Sequence, residues 1–180
     1  TSSAAAIAIP TIRDIYLCNI TDWSNVPGSG KTGAITVYAR NGLSGTTDTF
    51  KTLIGGLPAT VAGNANWGPC VHEVDTTDDI ATHTSNEAGA IGFAGLSAGR
   101  AGNKALAVAA TATSTAIAPS QTTIRNFSYP LSRRLFVNSV ADGRFPSDDE
   151  QLLLDSMLDR SFMDPILTAN EFITCPATCP

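Results

Sequence analysis

Ala34-Ile35-Thr36-Val37-Tyr38-Ala39-Arg40-Asn41-Gly42-Leu43-Ser44-Gly45-Thr46 runs on into Thr47-Asp48-Thr49-Phe50-Lys51-Thr52-Leu53-Ile54. Residues 34–38 alternate like a strand, whereas Phe50, Leu53 and Ile54 recur at helical spacing. Strand, glycine-bearing turn and helix start is a geometry that aims several free backbone N–H groups at one spot. An anion held there gains from those donors and from the positive end of the helix dipole. Arg40 adds a guanidinium fork suited to an oxyanion. Ser44 and Thr46 add hydroxyl donors, and Gly45 permits close approach of the backbone. The expectation is an oxyanion site formed by Arg40, Ser44, Gly45 and Thr46.

Composition bounds what such a site can serve. A chain of 180 residues is long enough for one solid core or for two small lobes. The net charge of −5 argues against nucleic-acid binding, which needs clustered Lys and Arg. Arg133-Arg134 is the only adjacent basic pair, and it falls in a strand-like run. A small anion is held by local donors, so an acidic protein can still bind one. No apolar stretch is long enough to cross a bilayer, and direct membrane insertion is not expected. Residues 1–9 are rich in Ala and Ser without a charged n-region. They are not a complete signal peptide and read as a tail or a first strand. Cys18, Cys70, Cys175 and Cys179 are an even set, compatible with two disulfides. Cys175 and Cys179 can close a small terminal loop, which leaves Cys18 with Cys70; four ordinary thiols are the alternative.

Turn residues 26–33 separate a first helix from the strand before the anion motif. Residues 55–69 read as a long loop, 75–83 as a capped helix, and 90–94 as a small-residue buried strand. The Ala/Thr/Ser tract at 109–118 reads as a surface excursion. Residues 129–140 are expected to form a strand. Ser147 is a candidate N-cap for a helix reaching about Arg160, with Asp148, Asp149 and Glu150 set against its dipole. Alternating strands and helices predict an α/β fold with a largely parallel sheet flanked by helices.

Other motifs carry less. Gly28-Ser29-Gly30-Lys31-Thr32 lacks the upstream glycine of a P-loop, because Asn25 stands there, and a strand follows it. It reads as a hairpin-like loop. Cys70-Val71-His72-Glu73 has no second cluster at metal-ligand spacing, and His72 and His83 read as surface or packing residues. No nucleophile-elbow pattern supports a Ser–His–Asp enzyme, and no catalytic residue, metal or cofactor is implied. Asn19-Ile20-Thr21 and Asn126-Phe127-Ser128 are glycosylation sequons whose meaning depends on a glycosylating route.

Four blocks, in order, resemble the PstS-type phosphate-binding proteins, the solute-binding components of phosphate ABC transporters. They are Thr11 to Val26 with the anion motif, Ala88-Gly89-Ala90-Ile91-Gly92-Phe93-Ala94-Gly95-Leu96-Ser97 with Lys104 to Val108, Pro119-Ser120, and Tyr129 to Val137. The resemblance implies a periplasmic-binding-protein type II lobe. Residues 1–125 would be the second, phosphate-binding lobe, and residues 126–180 the return strand and C-terminal helices of an incomplete first lobe. It implies phosphate contacts from Arg40, Ser44, Gly45 and Thr46. Implied partners are inorganic phosphate or a similar oxyanion, a membrane permease and a complementary first-lobe segment. Gly42 departs from the family, where some members carry an acidic residue that braces the arginine; Leu43 stands where a small glycine is common. With the even cysteine count, the resemblance implies a periplasmic, secreted or cell-surface location. The alternative is a structural or adhesive domain that keeps the fold without tight phosphate binding.

Overall fold

Val37 and Ala39 are fully buried and Tyr38 nearly so, which makes β2 (Thr36–Arg40) the centre of a three-stranded parallel sheet of order β3-β2-β4. The computed structural model describes residues 6–42, 44–57, 67–135, 147–170 and 172–174. β3 (Val71–Val74) lies along β2 with Val37 opposite Val71 and Arg40 opposite Val74. β4 (Ala90–Ile91) pairs on the other side, Val37 opposite Ile91. A second parallel pair joins β1 (Ala6–Ala8) to β5 (Ala107–Ala109). Parallel neighbours need crossover connections, and the helices supply them.

α1 (Ile9–Tyr16) starts with Pro10 in its first turn, where a missing N–H costs nothing, and it buries Ile12, Ile15 and Tyr16. α2 (Gly45–Leu53) follows β2, buries Thr47 and Phe50, and carries Ile54 into the core just past its end. α3 (Thr77–Asn86) begins with a capping box in which Thr76 and Asp79 satisfy each other's backbone donors. α4 (Gln121–Arg125) is one short turn with a Ser120–Thr123 box. Tyr16, Phe50, Trp67 and Phe93 interlock, Phe50 and Phe93 stacked at 4.2 Å and Tyr16 edge-on to Phe50 at 5.1 Å. Trp23 is sealed in the core, its Nε1–H donating to the Gly89 carbonyl at 2.7 Å.

A disulfide joins Cys18 to Cys70 and ties the end of α1 to the entrance of β3 across 52 residues. The expected Cys175–Cys179 bridge lies outside the described residues.

The chain divides into two units, residues 1–132 and 133–180. In the second, Ser147 caps α5 (Asp148–Leu158) by accepting from the Glu150 N–H. Asp159 then ends α5 and caps α6 (Arg160–Ala169). The helices touch each other, yet neither holds a buried residue; Leu152, Leu153, Leu158 and Phe162 are all more than half exposed.

The expected strand at 129–140 is corrected over its described part. Among the described residues, 129–135 form no strand: the Ser132 N–H folds back onto the Tyr129 carbonyl at 3.1 Å, around Pro130, and closes a turn. Residues 136–140 lie outside the described set. The strand expected at 90–94 is only two residues long. The tract at 109–118 is mostly exposed, as expected, but Ile117 returns to exchange two 2.9 Å backbone bonds with Val108.

Candidate anion site

β2 ends at Arg40, Gly42 turns the chain with φ +62°, and Ser44 opens α2. A positive φ is nearly free for glycine, and it lets the chain reverse from the sheet edge into the helix. The strand, turn and helix read from the sequence are therefore present. Leu43 lies outside the described residues.

Arg40 is half-buried and held at two points. Its Nε–H donates to the Asp75 main-chain carbonyl at 3.1 Å, and Nη1 donates to Ser44 Oγ at 3.0 Å. Beside it, Asn41 Nδ2 donates to Asp75 Oδ1 at 2.6 Å, and the Asn41 N–H to the Val74 carbonyl at 2.8 Å. Asp75, one residue past β3, thus offers its carbonyl to the guanidinium and its carboxylate to Asn41. The bracing that the resemblance assigns to an acidic residue at the Gly42 position comes instead from the Asp75 carbonyl, just past the neighbouring strand, and from Ser44 Oγ.

Ser44 is buried, 6% exposed, and its oxygen accepts twice, from Arg40 and from the Thr47 N–H at 3.4 Å. A hydroxyl has two acceptor sites and one proton, so with both acceptors filled the O–H is left to donate elsewhere. Thr46 lies at the second helical position, where no intrahelical carbonyl is in reach of its N–H. Its side chain finds no partner among the described residues. Arg40, Ser44, Gly45 and Thr46 come together at one turn, where the guanidinium donates to Ser44 and the Thr46 hydroxyl can donate or accept. Asp48, exposed in the first turn of α2, is the nearest acidic residue on that helix.

Sequence reasoning missed two residues here. Asn41 and Asp75 carried no signal, since the bond that matters uses a main-chain carbonyl that any residue could supply. Thr47 is also notable: it is 1% exposed and its Oγ1 has no partner among the described residues.

The histidines pack around Tyr38. His83 from α3 stacks on the ring at 4.6 Å, and His72 from β3 lies at 5.6 Å. Glu87 accepts from Thr36 Oγ1 and from the Tyr38 hydroxyl, each at 2.7 Å. Those two bonds, Thr36 first, hold the Glu87 carboxyl below the usual range, with smaller help from His72 and His83. Burial, then the Glu87 contact, pushes the Tyr38 phenol up to about 12. Among the described residues no three His, Cys, Asp or Glu side chains gather as metal ligands would. A cavity of about 390 Å³ lined by Ile9, Pro10, Arg13, Asp14, Leu17, Ile54 and Gly55 opens beside the far end of α2, away from Ser44.

The model of the PBP superfamily domain matches residues 1–154. Solved structures share the fold. One is a phosphate ABC-transport receptor from Vibrio cholerae, 20% identical with a TM-score of 0.74, covering 94% of this chain and 64% of that one. Another is a chain from Clostridium perfringens described as a phosphate ABC-transporter substrate-binding protein and solved with phosphate bound, 20% identical, TM-score 0.69, covering 96% and 64%. A third, from Planctomyces limnophilus and described as a phosphate-binding protein, is 18% identical, TM-score 0.72, covering 98% and 61%. The chain therefore spans just under two thirds of the structures it matches. Over 42 residues, 23% of this chain, it is 48% identical to alkaline phosphatase L of Pseudomonas aeruginosa, covering 11% of that protein.

Proposed function

The chain belongs to the PBP superfamily, and on that premise we propose that it is an extracytoplasmic module binding phosphate or a similar oxyanion without turning it over. The observation that carries the reading is the fork of Arg40, tied to Ser44 Oγ at 3.0 Å at the start of α2. It sets a fixed positive charge, a hydroxyl proton and the first N–H groups of a helix around one point. The bound phosphate in the Clostridium perfringens relative supports the choice of ligand class. The Cys18–Cys70 disulfide supports an oxidising compartment, periplasmic or outside the cell.

In this reading residues 1–125 act as the second lobe and 126–180 as the returning part of the first. The relatives are longer than this chain, so a complementary first-lobe segment completes the clamp, and a membrane permease receives the closed complex. The short match to alkaline phosphatase L leaves a phosphomonoesterase as the enzymatic alternative, and one experiment addresses both. Calorimetric titration with inorganic phosphate gives saturable heat that Arg40→Ala abolishes, while p-nitrophenyl phosphate stays intact. Heat that survives in Arg40→Ala, or none in the wild type, removes the binding proposal; phosphate release from the ester removes the claim of no turnover.

The exposed apolar side chains of α5 and α6 favour a second reading, a structural or adhesive domain of a secreted assembly that keeps the fold without tight phosphate binding. A silent phosphate titration together with concentration-dependent self-association would select it.

A further inference from the structure

The cavity beside the end of α2 holds a charge set into an apolar wall. Along α1, Ile9, Arg13 and Leu17 recur every four residues and line one side of it, with Pro10 and Asp14 as the neighbouring row. Ile54, 1% exposed, closes the side that α2 supplies. Arg13 thus stands between two aliphatic side chains, and its buried Nε has no hydrogen-bond partner among the described residues. The main chain nearby is already satisfied. The Arg13 and Asp14 carbonyls accept from Leu17 and Asn19, and the Phe50, Thr52 and Lys51 carbonyls accept from Ile54, Gly55 and Gly56. Asp14 Oδ1 is taken by Asn19 Nδ2 at 3.0 Å.

A buried donor without a partner is a standing cost to folding, and a ligand acceptor would relieve it. The volume, about 390 Å³, is at the lower end of the range for small-molecule sites. We propose that this cavity is a second ligand site, separate from the anion turn, and that it takes an amphiphilic monoanion. An apolar body lies against Ile9, Pro10, Leu17 and Ile54, and a single carboxylate meets Arg13. That carboxylate supplies the acceptor Nε lacks and matches the guanidinium fork. Asp14 limits the charge: next to Arg13 on the helix, it repels a second negative group. Inorganic phosphate has no apolar body and is a poor occupant. Ser44 and Ile54 cap opposite ends of α2, roughly 15 Å apart by helix rise, so the two sites fill independently.

The test is an NMR titration of the whole chain with sodium octanoate, kept below its micelle concentration, beside octan-1-ol, sodium suberate and inorganic phosphate. Octanoate is expected to shift the methyl resonances of Ile9, Leu17 and Ile54 saturably and to leave those of the buried Ile80 and Val108 in place. Octanol, without the charge, and suberate, with a second one, should bind at least about tenfold more weakly. Arg13→Met keeps an apolar stem and should weaken octanoate by about tenfold or more. Without ligand, that variant should be as stable in urea as the wild type or more so, because the orphaned donor is gone. Octanol that matches octanoate, octanoate that binds Arg13→Met unchanged, or no saturable shift each overturns the proposal. A lower urea midpoint for Arg13→Met assigns the guanidinium to the fold and overturns it too. Suberate as tight as octanoate removes the role of Asp14, and phosphate shifting the same methyls removes the separation from the anion turn. The octanoate and octanol arms use the wild type alone, so they decide the matter even where the variant is unstable.

Discussion

Ser44 joins the stability of α2 to the chemistry of the turn, and two substitutions separate them. Ser44→Ala removes the acceptor for the Thr47 N–H and for Arg40 Nη1. Loss of an N-cap costs about 1 kcal/mol. The half-buried guanidinium can turn partly to water, so losing its bond adds less than about 1 kcal/mol. The expected total is about 1–2 kcal/mol, read as a lower urea midpoint at constant slope. Ser44→Asp keeps a capping oxygen and pairs Arg40 with a charge, so its midpoint stays close to the wild-type value. Its carboxylate, however, stands where the anion would. At about 4 Å and an effective dielectric near 20, two unit charges repel by about 4 kcal/mol, a factor of roughly a thousand before screening. A loss of at least about tenfold in anion affinity remains after solvent screening. An Asp variant that binds phosphate as the wild type does would refute the placement of the anion. An Ala variant with an unchanged midpoint would refute the cap.

Three further outcomes are expected. Replacing Cys18 and Cys70 together by Ser opens a loop of 52 residues; the chain-entropy relation gives about 4 kcal/mol, so thermal unfolding of the double variant should fall by roughly 8–16 °C. Thr47→Val keeps the shape and removes a buried hydroxyl without a described partner, so the variant is expected to be as stable as the wild type or more so by urea unfolding. Glu87 is held below its usual pKa by Thr36 and Tyr38, so its contribution to stability is present above the unfolded carboxyl value of about 4.5 and is lost as pH falls through the lower folded one. Glu87→Gln should therefore flatten stability against pH only on the acid side of about 4.5, and a flattening near neutrality would contradict the assignment.

The parts of the fold legible in the sequence are those with local causes. Ser44, Thr76 and Ser147 each lie at a helix start, and the hydrophobic spacing after Ser44 and Ser147 marks a face. What escaped was tertiary in origin. Val71-His72-Glu73-Val74 carries two exposed polar side chains in four residues and becomes β3 because β2 offers it a ladder. Tyr129 to Leu135 has strand-like composition, yet a turn forms around Pro130. α6 carries Pro165 in its interior, a residue that argues against a helix there. Within the site, Arg40 and Ser44 could be named from residue type and spacing. The support from Asp75, 35 residues away, could not, because a main-chain carbonyl leaves no mark in the sequence.

The aromatic cluster under α2 has a spectroscopic consequence. The chain has two tryptophans. Trp23 is 1% exposed, so its emission belongs to a dry interior. Trp67 is half-buried against Tyr16, Phe50 and Phe93, and the Lys51 ammonium sits 4.7 Å from its ring centre. Iodide, drawn to that cation, should quench Trp67 and leave Trp23 bright. Phe50 and Lys51 belong to the helix that Ser44 begins, so the quenchable fraction of the fluorescence is a native, label-free gauge of whether α2 shifts when its far end meets an anion.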